Sequence, residues 1–298
     1  GRTVSDPDPI PHGRGGEPLT AENTLRDGDT VTGLTGALLY NFDAYRVHPL
    51  APVDFSPANP RPETPSVAGG RLSVSGFNLG NYFTTVDEGG AACGPLNNSE
   101  CRGADSEYEL TRQRKKLIAA LAALSADLVG LVEVENTPRE TVADLVSGLN
   151  DREGAGAWAY LNTGVIGGSV IRAALIYRPD RLTPVGDPAI LNDHVDPSFN
   201  DDKNRPVLAQ TFAEADTGHL FTVAVCHLKS KNSPCDDIGD PDPDMGDGQG
   251  NCNRTRTAAA EALARWLAED PTESGDPDVL IIGDFNAYPH EDPIRALI

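Results

Sequence analysis

DLVGLVEV, residues 127–134, decides how this chain must fold. From Leu128 to Val134 only Gly130 and Glu133 interrupt a run of Leu and Val. A strand so continuously apolar has to be covered on both faces, which makes it central in its sheet. Working back from it, Ser106-Glu107-Tyr108-Glu109 reads as a capping box. The helix it opens carries Leu110, Leu117, Leu121 and Leu124 on one face. Working forward, Thr137-Pro138-Arg139-Glu140 caps a second helix whose Val142, Leu145, Val146 and Leu149 face inward. RLSVSGF (71–77), VIRAALIYR (170–178), RPVLAQTF (205–212) and HLFTVAVCHL (219–228) are further strands. A helix from about Arg254 to Ala268 precedes a last buried strand, DVLIIGDF (278–285). This order predicts sheets covered by helices, either α/β or a two-sheet α+β sandwich.

Upstream the character changes. VTGLTGALLYNFDAYRV (31–47) alternates apolar and β-favouring residues around Gly33 and Gly36, and residues 1–48 hold too little to close a core. They read as the last strands of a small β domain, followed by a Pro-rich, semi-rigid linker over 49–70 and a large domain over 71–298. The chain opens at Gly1 without an initiator Met, so an upstream segment is expected.

Acidic residues outnumber basic ones by 45 to 24, a net charge of −21. A passive nucleic-acid binder gains affinity from Lys and Arg, so this balance argues against one. An acidic chain acting on a polyanion needs another positive charge, and a divalent metal held by carboxylates supplies it; the same surplus also favours solubility. The longest apolar stretch, Leu117 to Val132, is broken by Ser125 and Asp127 and is too short to span a membrane. Cys93 and Cys101 flank GPLNNSE, and Cys235 and Cys252 flank an Asp/Gly/Pro-rich stretch, while Cys226 sits in an apolar strand. Neither pair has zinc-site spacing. The expectation is two disulfides, a buried free Cys226 and an oxidising, extracytoplasmic compartment, hence a secreted or cell-surface protein.

Polar residues end several of the apolar strands: Asn78 after RLSVSGF, Glu133 in DLVGLVEV, His227 after FTVAVC, and Asp284 and Asn286 in GDFNA. Strand ends fix a side chain while the loop keeps it accessible. One such residue would be an ordinary turn residue or a structural His; the set together points to a site. Carboxylate and carboxamide oxygens suit Mg²⁺, Mn²⁺ or Ca²⁺, and a nearby His suits proton transfer or phosphate contact.

FN at 77–78, the Glu of LVEVEN at 131–136, HLKSK at 227–231 and GDFNA at 283–287, in that order, resemble the endonuclease/exonuclease/phosphatase superfamily across about residues 71–298. NYFTT, the CGP…ECRGA segment, GDGQG before Cys252, and EDPI are similar to secreted bacterial nucleases of the ExeM/NucH type. GDTVTGLTG…YRV looks like the end of the OB-like module such nucleases carry. The resemblance implies a four-layer αββα sandwich, DNase I-like and α+β. It also implies a secreted nuclease cleaving DNA, with RNA as a further substrate, using Mg²⁺ or Mn²⁺, with Ca²⁺ as the alternative. By matching position Glu133 is the principal metal ligand and Asn78 a second contributor. His227 is general acid or phosphate contact, Asp284 orients or activates water, and Asn286 holds a phosphate oxygen. The family pattern ends with a further strand and an Asp-His pair; this chain reaches Ile298 without them, so we expect a catalytic domain truncated at its C-terminus, with its activity in question.

Other candidates carry two readings each. Arg172 and Lys229, with Lys231, could meet phosphates, against a fold-level ion pair for Arg172 and a solvated loop for the lysines. Glu135 could support the metal, against a solvated loop carboxylate. Asn253 and Arg256 could contact substrate, against a capping role for Asn253. Residues 235–252 read as a disulfide-pinned acidic loop rather than a structural cation site. Two other functions compete with the nuclease: a sphingomyelinase-like phospholipid phosphodiesterase, and a non-catalytic extracellular DNA-binding protein. The OB-like remnant and the absence of an aromatic-rich docking loop favour a monomeric enzyme acting on nucleic acid, not on a membrane.

Overall fold

The computed structural model describes residues 14–15, 17, 23, 25–41, 44–51, 53–59, 69–239 and 241–298. In chain order the elements are β1 (Gly36–Asn41), β2 (Ala44–Pro49), β3 (Val74–Tyr82), β4 (Ala91–Cys93), β5 (Ser99–Glu100), α1 (Glu107–Leu124), β6 (Leu128–Glu135), α2 (Glu140–Glu153) and β7 (Ala159–Tyr160). They continue with β8 (Ile171–Tyr177), β9 (Leu182–Leu191), β10 (Arg205–Glu214), β11 (Leu220–His227), α3 (Asn253–Ala268), β12 (Val279–Asp284) and α4 (Asp292–Arg295).

Two four-stranded sheets, β3-β6-β8-β7 and β12-β11-β10-β9, make the body. Each mixes one parallel pair with antiparallel neighbours: β3 with β6, and β11 with β12. DLVGLVEV is β6 and lies inside its sheet, as its composition requires. Leu128, Val132 and Leu175 of the first sheet pack directly against Leu208, Val223 and Val225 of the second. At Gly130 a Cβ would stand 2.6 Å from Ile282 Cδ1, so the sheets close over this point only because the side chain is absent.

The helices cover the outer faces. Leu117 and Leu121 of α1, and Val142, Leu145, Val146 and Leu149 of α2, share one apolar cluster with Val129 and Leu131 of β6. On the other side Ala259, Ala262, Leu263 and Trp266 of α3 pack on Val207, Ala209, Ala224 and Cys226. The result is helix, sheet, sheet, helix, the α+β sandwich expected. Ser106 caps α1 by accepting the Glu109 N–H at 3.3 Å. Two details differ. The second helix starts only at Glu140, the last residue of its cap motif, and the Thr137 hydroxyl accepts the Thr141 N–H at 3.2 Å from outside the helix. The edge strand β9 carries no clear alternation and was not anticipated.

Both expected disulfides form, Cys93–Cys101 and Cys235–Cys252, leaving Cys226 free and buried. Burial pushes the Cys226 thiol up, so it stays protonated and inert. Upstream, β1 and β2 form an antiparallel hairpin whose Leu38, Tyr40, Tyr45 and Val47 are exposed. Residues 1–13 of the expected β module and 60–68 of the expected linker lie outside the described residues. Among the described residues no helix is long and apolar enough to cross a membrane.

Candidate active site

The chemistry-bearing residues stand at the C-terminal ends of the two parallel pairs. Asn78, opposite Val132, is the last residue of β3 before its register with β6 shifts, and His227 lies opposite Asp284 across β11 and β12. Parallel strands end together, so each pair delivers its side chains to the same edge of the sandwich.

In the first sheet the regular ladder breaks at this edge. Register shifts fall between Asn78 and Tyr82 and between Leu131 and Val134. Gly80, Asn81 and Glu133 adopt left-handed backbone, with φ of 65°, 57° and 60°. A non-glycine residue held there costs about 1 kcal/mol. Hydrogen bonds hold the distortion: Asn81 N–H donates to Glu133 Oε2 at 2.8 Å, and Gly80 N–H to Asn78 Oδ1 at 2.9 Å. From α1 the buried Gln113 amide donates to the carbonyls of Gly80 (3.1 Å) and Asn81 (3.4 Å). A polar residue on the apolar face of α1 was the sequence signal for this support, and it went unread.

The same bulge separates Glu133 from Glu135, which strict alternation would have placed on one face. Glu135 is 1% exposed and accepts hydrogen bonds from Thr84 N–H (2.8 Å), Thr85 N–H (3.1 Å) and the Thr141 hydroxyl (3.1 Å). It is therefore a buried anchor for the chain after β3, neither a metal support nor a solvated carboxylate.

In the second sheet the β11–β12 register runs undisturbed to its last pair. Gly283 makes that possible: its φ is 128°, and a Cβ there would stand 2.0 Å from the Cys226 carbonyl oxygen. Asp284 Oδ1 accepts the Asn286 N–H at 2.9 Å, and Asn286 Nδ2 donates to the Leu228 carbonyl at 2.9 Å. Asn286 thus clamps the GDFN turn to the end of β11, while still lining a cavity of about 510 Å³ with Asn78, Asp284 and Lys231.

Asn78 joins the two halves. Its Nδ2 donates to Glu133 Oε1 at 3.2 Å and to Asp284 Oδ2 at 3.0 Å, so carboxylates from both sheets converge on one amide. His227 is 6% exposed and its Nδ1 has no partner among the described residues. Burial and the Arg205 charge push its imidazole below the ordinary range, against the opposing pull of Asp284 and Glu133, so it is neutral at neutral pH.

Arg205 was missed by the sequence reading. It lies opposite His227 across β10 and β11, donates from Nη1 to the Lys203 carbonyl at 2.8 Å, and has a buried, unpartnered Nε. No ion pair involves it among the described residues. Burial and the Arg102 charge lower its pKa, while Glu133 works the other way. The signal was available: Arg205 heads a buried strand antiparallel to the one ending at His227.

Of the remaining candidates Arg172, Lys229 and Arg256 are buried, while Lys231 and Asn253 are half-buried and paired. Arg172, 2% exposed, donates to the Thr163 hydroxyl at 3.1 Å and the Ala173 carbonyl at 3.3 Å, and takes part in no ion pair among the described residues. Burial lowers its pKa to about 10. Lys229 is buried, not solvated, and its ammonium is taken up by the Ser233 hydroxyl and carbonyl. Lys231 pairs with Glu291 and lies 4.4 Å from the Tyr288 ring centroid. Asn253 neither caps α3 nor faces open space; its Nδ2 donates to Asp292 Oδ2 at 2.8 Å. Arg256 is fully buried and holds the carbonyls of Gln249 and Asn251, each at 2.6 Å. The N-cap position of α3 is Cys252, and from the preceding loop Asp242 Oδ2 accepts the first-turn Thr255 N–H at 2.8 Å. Asp244 and Asp247 are spent on turn N–H groups of the same loop, which suits a disulfide-pinned loop. Asp240 lies outside the described residues.

The donor set fits a hard divalent cation. Glu133 and Asp284 bring carboxylate oxygens together with the Asn78 carboxamide, and neither acid is in an ion pair among the described residues. No cluster of three or more His, Cys, Asp or Glu side chains with ligand geometry exists among those residues. Carboxylate and carboxamide oxygens are the hard ligands that Mg²⁺, Mn²⁺ or Ca²⁺ take.

Comparison with known proteins gives a family model, Endonuclease/Exonuclease/phosphatase family, matching residues 101–297. No protein of curated function matches the chain. Among solved structures it is similar to the human Nocturnin catalytic domain with bound sulfate, at 21% identity and TM-score 0.41, over 61% of this chain and 60% of that one. It is also similar to humanized D. rerio TDP2, at 15% identity and TM-score 0.45, over 76% and 66%. The Bacteroides thetaiotaomicron mannosyl-6-phosphatase Bt3783 matches at 18% identity and TM-score 0.40, over 58% and 56%. The chain thus spans less than two thirds of the length of each of these structures.

Proposed function

The chain belongs to the endonuclease/exonuclease/phosphatase family, and from that premise we propose that it is a metal-dependent phosphodiesterase that hydrolyses DNA outside the cell. The observation that carries this reading is the meeting of Glu133, Asn78 and Asp284 across two sheets, beside a neutral His227 and an arginine without a counter-ion. Family membership gives a hydrolase of phosphate esters; the two disulfides support the extracytoplasmic setting. The similarity of the flanking motifs to secreted bacterial nucleases supports DNA as the substrate, a monomeric enzyme, and an OB-like origin for residues 1–48.

Glu133 and Asn78 would hold the cation, and Mg²⁺ or Mn²⁺ bound there supplies Lewis-acid stabilisation of the charge growing on phosphate oxygens. Asp284, which accepts hydrogen bonds from Asn78 and Asn286, would orient the attacking water and accept its proton. The new P–O bond would form as the bond to the leaving oxygen breaks, and that oxygen would take up a proton from solvent water. The Arg205 guanidinium, in no ion pair among the described residues, would supply charge to a non-bridging oxygen. A neutral His227 offers an N–H to phosphate, which favours the contact role over that of a resting general acid.

Nicking of supercoiled plasmid tests the reading. With Mg²⁺, Mn²⁺ or Ca²⁺ added in turn, nicking should appear with metal, stop in EDTA and vanish in Glu133→Ala. Nicking that survives Glu133→Ala would place the metal elsewhere; no nicking by the native chain with any metal would remove the activity from this polypeptide.

A further inference from the structure

Between β3 and α1 the chain makes an excursion of its own, residues 83–105, which the catalytic machinery described above does not use. It is fastened at several points. Glu135 takes the N–H groups of Thr84 and Thr85. The Cys93–Cys101 disulfide is buried in a small cluster with Phe83, Val170 and Ile171. Asp87 N–H donates to the Ala104 carbonyl at 2.9 Å, and Asp105 N–H to Glu109 Oε2 at 3.1 Å. At Gly103 a Cβ would stand 2.5 Å from Phe83 Cβ, so the backbone there lies directly on that ring's residue.

Arg102 sits between two of these fixed points, with the disulfide on one side and the packed Gly103 on the other, yet its side chain is exposed. No ion pair involves it among the described residues. It lines a cavity of about 720 Å³ with Asn81, Ser99, Glu100 and Ser169. Asn81 is the residue whose N–H holds Glu133, so this cavity adjoins the catalytic edge. The charge of Arg102 is felt at both Arg205 and His227, lowering the proton affinity of each. In a chain of net charge −21, two guanidiniums without carboxylate partners on one side of the site are therefore close enough to repel each other. Like charges kept together at such a cost are stabilised by an anion that bridges or follows them.

We propose that Arg102, held out by the Cys93–Cys101 disulfide, forms a second phosphate subsite that binds a nucleic-acid phosphate flanking the one undergoing hydrolysis at Arg205. This rests on the nuclease reading and deepens it. The excursion presents the guanidinium with its backbone already ordered, so binding loses little entropy. A single phosphate ester would engage only the catalytic half, whereas an oligonucleotide would engage both. Reduction of the disulfide, two electrons and two protons from an added dithiol, would free the segment and loosen the subsite without touching Glu133, Asp284 or His227.

The test is binding of a fluorescent single-stranded oligonucleotide in Mg²⁺, in a His227→Ala background so that the substrate persists. Arg102→Ala is expected to weaken binding about tenfold and to flatten the dependence of log affinity on log salt by about one contact's worth, a slope of roughly 0.7. Arg102→Lys should keep that slope while losing part of the affinity, because it keeps the charge but not the fork. Dithiothreitol should reproduce the loss in the parent and add little to Arg102→Ala. Circular dichroism of each variant confirms the fold. Binding by the parent with affinity and slope unchanged in Arg102→Ala would overturn the subsite alone. No binding by the parent at any salt would overturn it together with the nuclease reading.

Discussion

The two sheets bring their parallel pairs to the same edge by opposite means. The first sheet places Asn78 and Glu133 by distortion: shifted registers, left-handed backbone at Gly80, Asn81 and Glu133, and hydrogen bonds that hold it. The second places His227 and Asp284 by regularity, in register to the last pair, at the single requirement of Gly283. The difference follows from what each must do. A metal ligand has to be aimed off the pleat towards the other sheet, and a bulge re-aims a side chain. A group that meets phosphate or water needs fixed position, and an unbroken ladder supplies that.

The largest effect should come from Glu133→Ala, a loss of about 10³-fold or more in kcat/KM on a phosphodiester substrate, with a stability cost of only about 1 kcal/mol from the bulge hydrogen bonds given up. The same stability cost with activity intact would mean that Glu133 serves the bulge and not the cation. Gly283→Ala should strike the regular half, destabilising by about 3 kcal/mol in urea unfolding, since its Cβ meets the Cys226 carbonyl at positive φ. Glu135→Ala, two residues from the ligand, should cost about 2 kcal/mol by leaving buried Thr84 and Thr85 N–H groups unpaired. Intact stability there would sever the excursion from β6.

His227 supplies the pH test. Its folded pKa lies below the ordinary histidine value because of burial and Arg205. The unfolded chain therefore takes the proton first, and stability present above about pH 6.5 is lost as pH falls through and below that value. His227→Gln should remove this dependence; an unchanged profile would assign it to other groups. The smallest effect is a difference between two variants: Glu133→Gly should be more stable than Glu133→Ala by about 0.5–1 kcal/mol, because glycine takes the left-handed backbone without strain, while both remain inactive. Equal stability of the two would show that the backbone at this position is not strained.

Local signals explain what could be read early. The apolar run of β6, the Ser106 cap, the two helix faces and both cysteine pairs concern residues near one another in sequence, and all appear as expected. The strand-end set Asn78, Glu133, His227, Asp284 and Asn286 was visible as well, because each follows an apolar run. The errors concern residues whose partners are distant. Lys229 and Arg256 carry charges that are solvated by default, and only the packed loop around them supplies carbonyls instead. Arg205 becomes a neighbour of His227 through strand pairing, and Arg102 joins a cavity with Asn81 across a disulfide-closed segment, neither of which their own surroundings announce.

The sequence by itself determined most of the helices and strands and the residue types at the site, since periodicity and capping are properties of a few consecutive residues; it left α/β and a two-sheet α+β sandwich both open until the family resemblance was added. Only the tertiary structure decided which side chains meet: that Glu133 leaves the face of Glu135, that Asn78 bridges two sheets, and that Arg205 stands opposite His227. Those facts depend on register and on the closing of one sheet over another, where a shift of one residue reverses every side chain, and no local pattern fixes that shift.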